Sequence, residues 1–232
     1  MKALPSSLTV ILLSLTPAMM SAATMPLAQD NTGYYWYTRD NWSGGSDTQT
    51  GFSFGDPGTG LLHARRNYQY YGGASRHWDS CDAYLQCSLE DLEASQIESA
   101  YLWLHVETNS SSAATTLRHL ATQSTAATGN ASQKLDGTVD VLSSSALVVG
   151  WNKIDVTAFI LSDLGKNYTF SAFSIPQFGQ NQDEDRILSF HGAGAAAEWR
   201  PYLEVTAIPE ATAASLCALG LCALIFRRRI FI

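Results

Sequence analysis

The sequence predicts an all-β fold, an antiparallel, jelly-roll-like β-sandwich. Three observations carry that expectation. Apolar and polar residues alternate along several segments from residue 83 onward, which is the period of a strand with one buried face. These segments are short and are separated by stretches rich in Gly, Ser, Asn and Asp, the residues that favour turns. Charged residues make up only 15% of the chain and aromatic residues 11%, a balance that suits half-buried strands better than exposed helix faces.

The elements follow in chain order. Lys2 gives a positive start, residues 8–15 form an apolar run able to make a signal helix, and Ser21, Ala22 and Ala23 make a small-residue cleavage site. Residues 1–23 therefore read as a secretory signal peptide. Cleavage is expected after Ala23, with Ala22 and Ala28 as alternatives. Residues 24–207 then form one domain, long enough for a substantial core. Between residues 30 and 79 the apolar pieces are broken by Gly33, Gly44, Gly45, Gly51, Gly55, Gly58, Gly60, Gly72 and Gly73, which predicts short strands and long loops.

Alternation is clearest after that. In "AYLQCSL", Ala83, Leu85, Cys87 and Leu89 share one face. In "SAYLWLHVE", Ala100, Leu102, Leu104 and Val106 face one way, and Tyr101, Trp103 and His105 the other. "TTLRHLA" (115–121) is a weaker strand, and the polar stretches 110–116 and 122–133 read as loops or exposed edges. After a break at Gly150, residues 154–156 read as strand and 156–164 as a short helix or turn. "NYTFSAFSI", "RILSFH" and "YLEVTAI" complete the set.

Residues 208–232 are of another kind. The run 211–226 has no charge and no proline. As a helix it would be about 24 Å long, against a hydrocarbon core of about 30 Å. Pro209 precedes it and Arg227, Arg228 and Arg229 stop it, as the positive-inside rule requires of a cytoplasmic end. A transmembrane helix is expected here; the alternative is the buried last helix of a soluble domain.

Composition excludes some functions. The net charge of −7 removes any broad electrostatic affinity for nucleic acid. Cys217 and Cys222 lie within the membrane run. Cys81 and Cys87 lie in the exported domain, where a disulfide is chemically permitted. Six extended residues span about 20 Å, whereas bridged Cα atoms need less than about 7 Å. Either Cys87 is a small buried hydrophobe or the chain turns sharply near Asp82.

No catalytic motif stands out: Gly-x-Ser-x-Gly, His-Glu-x-x-His and a phosphate-binding glycine loop are all missing from the sequence. The expectation is a protein that is not an enzyme. His63, His77, His105, His119 and His191 are scattered and read as ordinary strand or surface residues. "HWD" at 77–79 lacks a nucleophile. Calcium is the one cofactor the sequence accommodates, through Asp183, Glu184 and Asp185 in "NQDEDR". The spacing is not that of an EF-hand, and the plainer reading is a solvated loop. Asp40, Asn41 and Asp47 invite the same two readings.

The aromatic residues carry the stronger signal. "YYWYTRDNW" gathers Tyr34, Tyr35, Trp36, Tyr37 and Trp42, and "NYQYYGGASRHW" adds Tyr68, Tyr70, Tyr71 and Trp78. Tyr101 and Trp103 point away from the core by their own alternation. Flat rings stack on the C–H faces of sugars, so Trp36, Trp42, Tyr101 and Trp103 are the candidate carbohydrate-binding residues. The competing expectation is that the N-terminal segment folds back and buries Tyr101 and Trp103, since large apolar patches rarely stay exposed.

Two resemblances add to this. "IPEATAASLCALGLCALIFRRRIFI" resembles the PEP-CTERM sorting signal of Gram-negative bacteria, with Pro209 and Glu210 in place, Ala211 where the family has a second proline, then the helix and Arg227 to Arg229. The resemblance implies export, transient anchoring in the inner membrane and processing by exosortase-type machinery near Pro209 and Glu210. "IESAYLWLHV", "GWNKIDVTAFIL" and "ILSFHGAGAAAEWRPYLEVT" resemble the DNRLRE-type β-sandwich of bacterial surface proteins over residues 83–207, with Cys87, Ser88 and Leu89 where that family has Phe-Asp-Leu. Some relatives of that fold are carbohydrate-binding modules, which implies exopolysaccharide as a partner. The expected protein is thus an exported envelope or matrix β-sandwich. The alternatives are a secreted polysaccharide-degrading enzyme, and a single-span type I receptor-like protein in which Asn41, Asn109, Asn130 and Asn167 would be glycan acceptors.

Overall fold

The computed structural model describes residues 22–27, 32–42, 45–53, 58–72, 75–110, 116–120, 138–143, 146–176 and 186–208. Residues 1–21 of the segment expected to be a signal peptide, the acidic loop holding Asp183, Glu184 and Asp185, and the tail from Pro209 lie outside these residues. Among the described residues no helix is long and apolar enough to cross a membrane.

The fold is all-β. The strands are β1 (Ala22–Pro26), β2 (Gly33–Trp42), β3 (Gly45–Ser53), β4 (Leu61–Gly72), β5 (Ser75–Ser88), β6 (Ile97–Asn109), β7 (Thr116–Leu120), β8 (Thr138–Ser143) and β9 (Gly150–Asp155). The helix α1 (Thr157–Gly165) follows, then β10 (Phe170–Ile175), β11 (Arg186–His191) and β12 (Tyr202–Ala207). Among the described residues every strand pairing is antiparallel.

Two long strands organise the sheet. β6 carries β9 along one edge; along the other it carries β12 opposite residues 97–103 and β11 opposite 106–109, end to end. β5 repeats the arrangement, with β2 on one edge and β4 and β10 in succession on the other. β11 also pairs with β4 and so joins the two halves. A sheet whose long strands each serve two successive neighbours folds over, and the inner faces of both halves meet in one core. That core holds Leu62 and Ala64 of β4, Ala83, Leu85 and Cys87 of β5, Leu102, Leu104 and Val106 of β6, Phe173 of β10, Phe190 of β11 and Leu203 of β12.

The alternation of β6 is realised as the sequence predicts. Ala100, Leu102, Leu104 and Val106 are fully buried, each large one contributing about 1.5–3 kcal/mol. β10 is buried on both faces, because Phe170 and Ala172 pack with Tyr84 and Leu120 on the far side. The short helix also forms where expected. Asp155 Oδ1 accepts from the Thr157 backbone N–H at 2.9 Å and from its hydroxyl at 2.6 Å, a local turn just before the helix. Thr157 Oγ1 in turn accepts from the Ala100 N–H at 2.9 Å and ties α1 to β6. Asn167, at φ 58°, ends it in the left-handed conformation, with its N–H on the Leu164 carbonyl.

Residues 30–79 depart from expectation. Among the described residues they hold long strands where short ones were expected. β2 and β3 pair as far as Trp42 with Gly45, and β4 and β5 as far as Gly72 with Ser75. β5 runs unbroken through Asp82, which settles the cysteines. Cys81 and Cys87 are too far apart along one extended strand to bridge each other, and burial pushes the Cys87 thiol up to about 12.

Candidate functional site

The outer face of β6 and its neighbours presents the most distinctive chemistry. Tyr101, Trp103 and His105 alternate outward from β6, as read from the sequence. β9 lies on one side, with Trp151 opposite His105, Lys153 opposite Trp103 and Asp155 opposite Tyr101. β12 lies on the other, with Tyr202 opposite Trp103 and Glu204 opposite Tyr101. Register alone therefore brings these side chains together across three strands.

Their contacts are specific. Trp103 stacks on Tyr202, with centroids 5.8 Å apart and planes 17° apart, and meets Trp151 edge-on at 6.3 Å. Trp103 Nε1–H donates to Glu204 Oε2 at 2.8 Å, and Lys153 Nζ donates to Glu204 Oε1 at 2.9 Å. Lys153 also sits 4.0 Å over the Tyr101 ring. The hydrogen bond from Lys153 holds the Glu204 carboxyl below its usual range; burial opposes this, and the bond from Trp103 assists it. Burial, followed by the charge of Glu204, raises the Tyr202 hydroxyl, with Lys153 opposing. The polar groups thus lock the rings in place, while Trp151 keeps 37% of its surface exposed.

The described N-terminal strands do not lie over this face: β1 extends the sheet beyond β12, and β2 with β3 extends it beyond β5. Tyr101 and Trp103 remain partly exposed. Trp36 belongs elsewhere, on β2 against Gly51, where a Cβ would come within 2.4 Å of its indole. Trp42 ends β2 and its side chain is outside what is described. The structure therefore brings together two of the four candidate aromatics. Sequence reasoning missed Trp151, Lys153, Tyr202 and Glu204, although Trp-x-Lys-x-Asp in "GWNKID" and Tyr-x-Glu in "YLEV" carry the same outward alternation.

All five histidines lie on strands. His77 and Asp79 do not serve each other: His77 Nδ1 is 2.6 Å from Asp40 Oδ1, and Asp79 pairs with Arg65. Asp47 meets the Thr48 N–H at 2.8 Å. Asp40 and Asp47 are thus occupied by side-chain or backbone partners. His63 is buried, 2.8 Å from Ser189 Oγ. His119, Asp163 and Ser171 are all buried, with His119 Nε2 at 2.7 Å and the Ser171 hydroxyl at 2.5 Å from Asp163 Oδ2. This is not a nucleophile arrangement, because the serine donates to the acid and not to the imidazole. It is a polar tie between β7, α1 and β10.

A comparison with known proteins finds no family model and no curated protein that matches the chain. Function must therefore be argued from the site and from the chain's own residues.

Proposed function

We propose that this chain is an exported protein of the bacterial envelope or extracellular matrix, a jelly-roll-like, DNRLRE-like sandwich whose outer aromatic strip binds exopolysaccharide. The observation that carries this reading is the strip itself: Trp103 stacked on Tyr202 and edge-on to Trp151 across three strands, with the Trp103 indole held by Glu204, which Lys153 also binds. Sugars offer apolar C–H faces to such rings and hydroxyls to adjacent carboxylates and amines, so a sheet face of this kind suits extended glycan chains. Rings fixed before binding lose little freedom on binding. The role is one of binding and not of catalysis.

The ends support the cellular half of the reading. The tail combines Pro209 and Glu210, an apolar run and Arg227, Arg228 and Arg229 in the order of a PEP-CTERM signal, a substrate for exosortase-type processing of a Gram-negative envelope protein. At the other end, cleavage after Ala23 leaves Thr24, Met25 and Pro26 on β12 and Leu27 in the core. Cleavage after Ala28 would strip both, which favours the upstream site.

The test is affinity electrophoresis of the full chain, solubilised in mild detergent, through gels containing acidic or neutral polysaccharides. Retardation by at least one polymer, abolished by Trp151→Ala, is the expected result. Migration unchanged in every gel would remove the glycan role.

A further inference from the structure

At one end of the aromatic strip three potential metal ligands converge. His105 points outward from β6, Glu107 follows two residues later, and His191 ends β11. One ligand atom from each lies within 4.8 Å of the other two. The two imidazoles face each other through the same nitrogen, with His105 Nδ1 and His191 Nδ1 3.0 Å apart. We propose that His105, Glu107 and His191 bind a divalent first-row transition ion, with copper(II) fitting best.

Local structure explains how the three meet. β11 pairs with β6 in regular register until Ser189, which lies opposite Thr108; the next residue, Phe190, lies opposite Val106. Glu107 is the extra residue of this bulge, a device that re-aims side chains at functional positions. The turn after His191 is fixed by the Gly192 N–H on the Gly60 carbonyl at 2.8 Å. Gly192 has no room for a side chain, since a Cβ would come within 2.7 Å of Leu62. The imidazoles are then walled by indoles. Trp199 lies 4.3 Å from His105 and 5.8 Å from His191, and Trp151 lies 5.2 Å from His105. Rings packed in this way hold the two Nδ1 atoms together, the supporting order that metal sites require.

The donor set selects the class of ion. Imidazole nitrogens suit copper, nickel, zinc and iron, and the two Nδ1 atoms, 3.0 Å apart, are near enough for both to reach one ion in place of their contact with each other. Two imidazoles and one carboxylate also match the ligand softness of these ions and not that of calcium. Copper(II) is the tightest binder of the divalent series at such sites. The inference is independent of the glycan reading, since it concerns an ion and is tested without sugar.

The full chain in mild detergent is titrated with copper(II) and zinc(II) by calorimetry, and the copper form is examined by electron paramagnetic resonance. One copper(II) per chain is expected, with a Kd below about 10 μM and a spectrum split by two imidazole nitrogens. His105→Gln and His191→Gln, which keep side-chain bulk in the wall of indoles, are each expected to weaken binding at least about 100-fold. Glu107→Gln should weaken it about 10-fold. His77→Ala serves as the control and should leave it unchanged. Binding that survives the His105→Gln/His191→Gln double variant would place the ion on other histidines and overturn the proposal. A wild-type spectrum without two-nitrogen splitting would do so without recourse to any variant.

Discussion

Deleting the carboxyl of Asp163 is the perturbation whose cost can be worked out most directly. The residue is fully buried in α1, and its Oδ2 receives both His119 Nε2 at 2.7 Å and the Ser171 hydroxyl at 2.5 Å. Hydrogen bonds to an acidic side chain of this kind contribute about 1.5–3 kcal/mol each. Asp163→Ala removes both bonds and leaves two buried polar groups with no acceptor there. Breaking a buried pair in this way costs about 3–5 kcal/mol. In a domain of this size each kcal/mol lowers Tm by about 2–4 °C, so a fall of about 6–20 °C is expected. Ser171→Ala removes one bond only and should cost about 1.5–3 kcal/mol. The assay is urea unfolding of the full chain followed by tryptophan fluorescence, with the slope of the transition checked for constancy. A cost below about 1 kcal/mol for Asp163→Ala would refute the claim that this cluster ties β7, α1 and β10 together.

Other predictions follow from the same geometry. Gly60 sits at φ 64°, with a Cβ position 2.3 Å from the Ala195 backbone nitrogen, whereas Gly165 has open space around it. Gly60→Ala should therefore cost more than about 2 kcal/mol and Gly165→Ala should cost nothing or stabilise by up to about 1 kcal/mol, as read from paired thermal melts. His105 is held below the ordinary histidine value by burial first and then by His191, with Glu107 opposing. Between that lowered value and about 6.5 the unfolded chain binds more protons. Its contribution is thus fully present above about pH 6.5 and is lost as pH falls through the folded value. Urea midpoints at several pH values should fall less steeply for His105→Gln than for wild type, and equal slopes would contradict this. Intact mass of protein recovered from its native host should correspond to a chain starting at Thr24 and ending near Pro209. A mass retaining both termini would contradict the proposed sorting.

Much of the fold was legible because burial on one face imposes a period of two. β6 is the clearest case, with Ala100, Leu102, Leu104 and Val106 inward and Tyr101, Trp103 and His105 outward, as read from "SAYLWLHVE" alone. The helix at 157–165 was half legible, since "VTAFILSDL" read as a short helix or turn over 156–164. The long hairpins of residues 33–88 were not legible. Glycines such as Gly51 read as breaks, yet Gly51 is there to admit the Trp36 ring within a continuous strand. The outer strip was half legible: alternation pointed Tyr101 and Trp103 outward, but only strand pairing puts Trp151 and Tyr202 beside them. His105 and His191 were invisible as a pair because 86 residues separate them and a bulge, which leaves no trace in the pattern, brings them together.

The central claim is that the outer face of β6 binds glycan through its rings. The most direct measurement is the migration of the full chain, Trp103→Ala, Trp151→Ala and Trp36→Ala through polysaccharide gels, compared with gels lacking polymer. The account predicts that wild type and Trp36→Ala are retarded equally and that Trp103→Ala and Trp151→Ala migrate as if no polymer were present. Equal retardation of all four proteins, or of none, would contradict it.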